Sequence, residues 1–516
     1  MKETILIVDF GSQVTKLIAR RIRDFGVFSI IIPFQKLSKL KFSDKNIKGI
    51  IFSGGPSSVV NEKAPCVPKF LYDLNIPILG ICYGLQLICK DFGGEVKFSK
   101  NREFGKTKIK ILKDSPLFKQ VYFLHKEYKV WMSHSDKVIK MPNQFKTVAS
   151  SENCKDVIIQ NLKKQIFGVQ FHPEVVHTQK GTNLLKNFVF KICKCQKVWS
   201  MNIFKKEMIQ KIKQEVGDHK VLCGLSGGVD STVTAVLVHQ AIGDKIQCVF
   251  VDTGLMRKNE INNIRELFTK NFNIPLQVID ASKIFFKKLK GVKDPEKKRK
   301  IIGQQFIKIF EKFAESNNNF KYLAQGTLYP DVIESSSQIG NSKVTIKSHH
   351  NVGGLPKKMK LLLLEPLKEL FKDEVRLLGK ELNISDNFVS RHPFPGPGLG
   401  IRVLGEINKN DVKILREADD IFLKLIKKYG LYRKIWQAFC VLLPVRTVGV
   451  MGDGRTYEKI CVLRAVTSVD GMTAEAFKFS HEFLEMCSNE IVNNVKGINR
   501  VCYDLTSKPP GTIEFE

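Results

Sequence analysis

Residues 77–86 read PILGICYGLQ: an apolar run that turns at Cys82, between Gly80 and Gly84, and resumes as a helical pattern. Such a strand–turn–helix elbow presents a nucleophile at a helix N-terminus, where the helix dipole favours a thiolate and unpaired N–H groups can hold an oxyanion. Upstream, Ser53-Gly54-Gly55-Pro56 is a glycine turn that can add a second N–H, from Gly55. Downstream, residues 167–177 read FGVQFHPEVVH. There His172 can serve as a base, and Glu174, beyond a chain-fixing proline, can orient the imidazole from its far side. His177 reads as structural. A lone cysteine or strand-end histidine usually belongs to a core. Their conjunction with a glycine loop on one sheet points instead to an activated nucleophile.

A second constellation follows VLCGL at 221–225: Ser226-Gly227-Gly228-Val229-Asp230-Ser231, then a helical pattern from Thr232. The backbone N–H groups of such a loop, with a helix N-terminus behind them, make an anion cradle. Ser226 and Ser231 add hydroxyls, and Asp230 can cap the helix or face a phosphate-bound Mg²⁺. The lysine-bearing P-loop pattern is absent. A third constellation lies in GTLYPDVIES at 326–335, where Asp331 and Glu334 share a face at a helix start. Near it, KSHHNVGGLP at 347–356 reads as a cationic, glycine-hinged loop, and 335–360 as a lid. Lys508, before two prolines, is a rigidly placed cation.

The elements that must position these residues alternate. Strands are predicted at Thr4–Val8, Ile30–Pro33, Gly49–Phe52 and Pro77–Ile81, with a helix through Leu17, Ile18 and Ile22, which implies a parallel sheet. Residues 155–172 read as an antiparallel pair, and 191–204 as a linker leading into a helix that ends near Val216. A second α/β pattern has strands at Val221–Leu225, Ile246–Val251 and Leu276–Ile279. RHPFPGPGLG at 391–400 reads as a structured boundary loop. Beyond it, β-rich runs at 441–450, 459–466 and 501–505 mix with helices near 410–428 and 474–494.

With 516 residues, 43% hydrophobic and 26% charged, the chain has globular composition and room for about three domains. No apolar run approaches the length of a membrane span, and the N-terminal run stops at Asp9, short of a secretory signal, so a cytoplasmic protein is expected. The net charge of +32 invites a nucleic-acid reading. The excess is scattered lysine: residues 1–195 carry 33 basic and 15 acidic side chains, and residues 391–516 carry 18 and 15. That pattern describes a solvated surface attractive to small anions better than a nucleic-acid face. The 12 cysteines form no zinc-type spacing and read mostly as reduced core thiols.

Residues 1–195 resemble a class I glutamine amidotransferase through SGGP, GICYGLQ and FHPE. The resemblance implies a triad of Cys82, His172 and Glu174 that hydrolyses glutamine through a thioester. It implies oxyanion and glutamine contacts at Gly55, Tyr83, Gln86, Ser133, His134 and Asp136. SGGVDS resembles the PP-loop ATP pyrophosphatases, which implies ATP binding by 226–231, with Val251 at the adenine side, and cleavage between the α- and β-phosphates. GTLYPDVIES, KSHHNVGGLP, RHPFPGPGLGIR, MGDGRTYE and SKPPGTIE are similar to the glutamine-hydrolysing GMP synthase family over the whole chain. That resemblance implies an α/β amidotransferase domain at 1–195, a doubly wound PP-loop domain at 200–390, and an α+β dimerisation domain at 391–516. It further implies amination of XMP with ATP and Mg²⁺ (Asp230 as a metal ligand), adenylylation residues Asp331, Glu334 and Lys347, and XMP contacts at Arg299, Gln437, Asp453, Lys508, Ile513 and Glu514. Gly396 and Gly398 are expected to shape the same pocket. The partners implied are the three substrates and a second copy of the chain, with no nucleic acid and no membrane. A PP-loop ligase for another acceptor and a basic nucleic-acid-binding protein are the competing readings.

Overall fold

A computed structural model describes residues 2–40, 42, 45–317, 320–336, 361–468 and 473–516. It divides into two compact units, 1–204 and 205–516.

The first unit opens with β1 (Glu3–Asp9), α1 (Thr15–Asp24), β2 (Phe28–Pro33), β3 (Asn46–Phe52), β4 (Ile78–Ile81) and α2 (Tyr83–Asp91). It continues with β5 (Glu95–Ile111), β6 (Glu127–Lys140), β7 (Lys146–Ser151), β8 (Ile158–Asn161), β9 (Ile166–Val169) and α3 (Gly181–Lys186). The sheet order is β2-β1-β3-β4-β9-β8-β7-β5-β6. The first five of these strands run parallel. The rest pair antiparallel, including β8 with β9, the pair expected over 155–172. β4 is buried at every position, as a central parallel strand must be. The order reverses between β1 and β3, and loops beyond the carboxyl ends of strands at such a switch point are where α/β sheets hold ligands. The linker expected at 191–204 is shorter than that. Residues 187–192 are a helical turn with Phe188, Val189 and Ile192 buried, and a new helix starts at Met201.

α4 (Met201–Val216) leads into β10 (Lys220–Leu225), α5 (Val229–Ile242), β11 (Ile246–Asp252), α6 (Glu260–Arg265), β12 (Leu276–Asp280), α7 (Ser282–Leu289) and α8 (Pro295–Ser316). Then come β13 (Phe320–Ala324), α9 (Tyr329–Ser336), β14 (Leu362–Leu364), α10 (Lys372–Glu381) and α11 (Asp386–Val389). These strands form a parallel sheet, β12-β11-β10-β13-β14, with its switch point between β10 and β13. α8, which the sequence reading passed over, starts cleanly. Asp294 accepts the Lys297 N–H at 2.7 Å and Pro295 sits at the first helical position.

The remainder comprises α12 (Lys409–Lys428), β15 (Gln437–Met451), β16 (Gly454–Thr467), β17 (Glu475–Ala476), α13 (His481–Asn494) and β18 (Ile498–Tyr503). β15 and β16 form a long antiparallel hairpin, and β18 pairs with β16 in parallel. One apolar cluster joins Leu222, Val249 and Phe285 of the parallel-sheet layer to Leu415, Phe422, Cys440, Leu463 and Ile491 of this last segment. The boundary expected at 390/391 therefore falls inside a single packed unit.

Candidate active sites

Cys82 follows β4 with φ 51° and ψ −105°, a conformation an L-residue adopts only where its surroundings impose it. The glycines explain how. A Cβ on Gly84 would lie 2.5 Å from the Phe52 carbonyl oxygen, and one on Gly80 would lie 2.6 Å from the Gly84 carbonyl carbon, so α2 seats directly against β3 and β4. Tyr83 opens α2, where backbone N–H groups lack helical acceptors. Its ring is buried and its hydroxyl donates to Pro65 O at 2.5 Å. The Ser53–Pro56 turn follows β3, and Gly54, rather than Gly55, abuts the imidazole: a Cβ there would sit 3.0 Å from His172 Cε1. Gly55 packs on Phe10 and Tyr83.

His172 follows β9. Its Nδ1 is 2.8 Å from Glu174 Oε1, which leaves Nε2 for the thiol. Glu174 is 1% exposed and its Oε2 has no hydrogen-bond partner among the described residues. Burial pulls the His172 pKa down, but the Glu174 carboxylate and Cys82 outweigh it and carry it up to about 11. The pairing therefore favours the charged imidazole beside the sulfur. Thr178 Oγ1 donates to His172 O at 2.6 Å, and the His177 ring lies 4.7 Å from that of Trp131, tilted by 34°.

Of the six residues expected at the oxyanion and the glutamine, Gln86 and His134 are committed to the scaffold. Cys82 Sγ lies 3.6 Å from the Ser133 carbonyl. Gln86 is 3% exposed and donates to Asp136 O at 3.0 Å. Both His134 ring nitrogens meet acceptors, Asp136 O at 3.0 Å and Glu103 Oε2 at 3.0 Å. His134 therefore braces β6 and offers a substrate only its backbone. Burial alone would raise the Glu103 pKa, yet His134 and Ser151 hold it below the ordinary carboxylate value.

In the second unit the helix starts earlier than expected: Val229, Asp230 and Ser231 are the first turn of α5. Ser231 Oγ closes the loop, accepting from Ser226 N at 3.2 Å and donating to Gly228 O at 3.2 Å. Gly227, at φ +77°, makes the turn possible. Asp230 does not cap the helix. Its carboxylate pairs with Lys372 Nζ, 2.6 and 2.7 Å from the two oxygens. The loop lines a cavity of about 400 Å³ with Gln325–Thr327 after β13, Phe306 and Phe310 of α8, Lys372 and Arg376 of α10, and Arg391–Phe394. Arg376 Nε and Arg391 Nη1 are buried without partners among the described residues. Lys372, Arg376 and the α8 aromatics were missed in the sequence. Phe306 and Phe310, four apart, were the available signal. RHPF is a wall of this cavity more than a boundary, and Gly396 joins it there. Gly398 (φ +62°) packs instead against Leu255 O, where a Cβ would collide with the backbone. Val251 does not line the cavity. It points into the core at 0% exposure, because alternate residues of β11 face opposite layers.

Asp331 lines the cavity, and its Oδ2 accepts the Leu328 N–H at 3.0 Å, capping α9. Glu334 lies on α9 with its side chain outside the description, and Lys347 with most of the expected lid lies outside the described residues. The expected XMP contacts gather around the tail. Glu514 receives Arg402 at 2.8 and 3.0 Å and Gln437 Nε2 at 2.6 Å. Arg299 and Lys298 both contact Glu516, and Ile513 packs by Phe439. Arg464, fully buried, pairs with Asp504 at 3.0 Å and donates to Thr506 O and Thr512 O, framing the segment that carries Lys508. Asp453 is not among them. It sits exposed in the turn of the β15–β16 hairpin, whose opposite end pairs Gln437 with Val466. At about 3.3 Å per residue, those ends are roughly 45 Å apart.

Three family models match in order. Glutamine amidotransferase class-I covers residues 6–192, NAD synthase covers 202–310, and the GMP synthase C terminal domain covers 424–515. The chain is similar at 53% identity to a glutamine-hydrolysing GMP synthase of Brucella melitensis and to one of Mesorhizobium japonicum. Each match spans 100% of this chain and 99% of the relative. A solved Thermoplasma acidophilum protein, described as a candidate component of a GMP synthase, is 33% identical, with 41% of this chain and 98% of that one covered, at a TM-score of 0.33. The full-length relatives and the C-terminal match agree: the chain belongs to the glutamine-hydrolysing GMP synthase family.

Proposed function

We propose that this chain makes GMP by aminating XMP, with ATP as the activating substrate and glutamine as the nitrogen source. The observation that carries the reading is one chain holding a Cys82–His172–Glu174 array beyond the carboxyl ends of β4 and β9 and an SGGVDS cavity at the β10/β13 switch point. In the first, the Cys82 thiolate attacks the glutamine amide carbon, and N–H groups of Tyr83 and the Ser53–Gly55 turn hold the oxyanion. His172 gives its proton to the leaving nitrogen and ammonia departs. His172 then takes a proton from water, which attacks the thioester and releases glutamate.

In the second, the 226–231 loop cradles the ATP polyphosphate, and the unpartnered nitrogens of Arg376 and Arg391 suit an anionic ligand. The purine O2 attacks the α-phosphorus, the bond to the β-phosphate oxygen breaks, and pyrophosphate leaves. Ammonia adds at the purine carbon and adenylate departs as AMP. Asp230 would hold Mg²⁺ together with the ATP phosphates, a donor set of one carboxylate plus phosphate oxygens that suits this ion. The metal would neutralise pyrophosphate charge. Asp331, Glu334 and Lys347 serve adenylylation, and Arg299, Gln437, Lys508, Ile513 and Glu514 bind XMP.

The chain acts as a homodimer through its C-terminal segment. Val448 and Tyr457, cross-strand partners, are 53% and 56% exposed, and Val450 is 74% exposed on the same hairpin. A second copy covering this face brings its Asp453 to an XMP site that lacks one. No helix among the described residues is long and apolar enough to cross a membrane, and the buried thiols suit a reducing cytoplasm.

The test supplies XMP, ATP and Mg²⁺ with either glutamine or ammonium. Both nitrogen sources should yield GMP and AMP. Cys82→Ala should abolish only the glutamine-driven route. Loss of both routes in Cys82→Ala refutes a separable glutaminase, and glutamine hydrolysis without any GMP redirects the ligase to another acceptor.

A further inference from the structure

Gln170 lies between β9 and His172, is 0% exposed, and has no part in the mechanism above. Its Nε2 is 3.6 Å from Cys82 Sγ. Its Oε1 accepts from Gln86 Nε2 at 3.3 Å, and that same nitrogen donates to the Asp136 carbonyl at 3.0 Å. A carbonyl can only accept. Asp136 O therefore fixes the Gln86 amide with its nitrogen inward, Gln170 must answer with Oε1, and the Gln170 NH₂ is left facing the sulfur. One backbone carbonyl sets the orientation of two side-chain amides.

Besides the His172 imidazole, the sulfur's other polar neighbour is the Ser133 carbonyl, also at 3.6 Å. That acceptor suits a thiol, which can donate to it. Once the proton leaves, Ser133 turns a lone pair toward a negative sulfur, whereas Gln170 turns an N–H. Hydrogen bonds to a charged acceptor are the stronger ones. We propose that Gln170 is a catalytic residue of the glutaminase, donating through Nε2–H to the Cys82 thiolate and aiming it at the glutamine amide carbon. In the thioester the sulfur is a poor acceptor, so this bond favours the reactive form over the acylated one. The inference rests on Cys82 being the nucleophile.

The experiment follows alkylation of Cys82 by iodoacetamide in the full chain, without glutamine, by peptide mass spectrometry. In the wild type, Cys82 should react faster than the exposed Cys66 and Cys502. If it does not, the nucleophile assignment fails. If it does, Gln170→Met, similar in length but without a donor, should slow Cys82 alkylation about tenfold. Gln170→Glu should slow it more, because a carboxylate repels the thiolate. Glutaminase kcat should fall in parallel while KM for glutamine and ammonia-driven GMP synthesis hold. Wild-type alkylation rates in folded Gln170→Met overturn the proposal. Should both variants lose the thermal unfolding transition, Gln86→Glu reads the same donor. Its carboxylate draws the Gln170 NH₂ away from sulfur, so slower alkylation supports the proposal and an unchanged rate overturns it.

Discussion

Asp230 and Lys372 face each other across the mouth of the phosphate loop, and each explains the other's position. A lysine this close to the loop is free to turn to a phosphate oxygen when ATP replaces the carboxylate as its partner. Lys372→Ala should lower ammonia-driven GMP formation by about 100-fold, the scale of losing one preorganised electrostatic contact. Steady-state AMP release would measure it, and a loss under threefold would remove Lys372 from the site. At the other centre, Glu174→Gln takes away the carboxylate that lifts His172. The imidazole titration of His172, followed by NMR, should then move to lower pH than in the wild type. The sign for stability follows. The unfolded imidazole titrates near 6.5, so the contribution of the His172–Glu174 pair is complete below that pH and fades as pH rises toward about 11. Denaturation midpoints of wild type and Glu174→Gln should converge across that alkaline window.

α2 is only nine residues long and has Tyr83 through Cys89 buried, so its place depends on contact with β3 and β4. Gly84→Ala should destabilise the first unit by about 1–3 kcal/mol through overpacking against Phe52, measured by urea denaturation. The same element shows what was legible in the sequence. The elbow, the parallel strands and the SGGVDS loop could be read because glycine, apolar runs and strand periodicity are local signals. The cavity walls could not. Lys372, Arg376 and Arg391 are brought to the loop by α10 and the 391–394 segment, 140 or more residues downstream, and nothing local in those segments announces a phosphate. Asp453 was placed with Gln437 by motif alone, and only the hairpin's register reveals their separation. His392 is a similar case. It stacks on Tyr432 at 3.8 Å, faces Tyr432 O at 2.9 Å and accepts from Ala438 N at 3.2 Å. Burial first, then the cations Arg257, Lys427 and Arg376, press its pKa down to about 4. The second unit should therefore lose stability as pH falls from 6.5 toward 4, and His392→Gln should flatten that acid limb in pH-dependent melting curves.

At the scale of the whole molecule, the first unit's core, from Leu6 to Ile166, and the second unit's core, from Leu222 to Ile498, are separate clusters. A fragment from Met201 onward should therefore fold and make GMP from ammonium, with no response to glutamine. A fragment ending at 390 should not fold, because Leu255, Ile302 and Phe310 would lose Leu399, Val403 and Leu415 from their shared cluster. Circular dichroism and product assays on the two fragments would decide both points. That shared cluster bears on how genes for such proteins can be cut and joined. A break near residue 200, beyond the buried Cys193, Cys195 and Trp199, leaves both clusters whole, so the glutaminase can be carried by a separate gene. A break near 391 divides one interior between two polypeptides. The parallel sheet that carries the SGGVDS loop and the C-terminal segment packed on it are therefore expected to be inherited together, and change in either must arise by substitution within that unit rather than by exchange of a module.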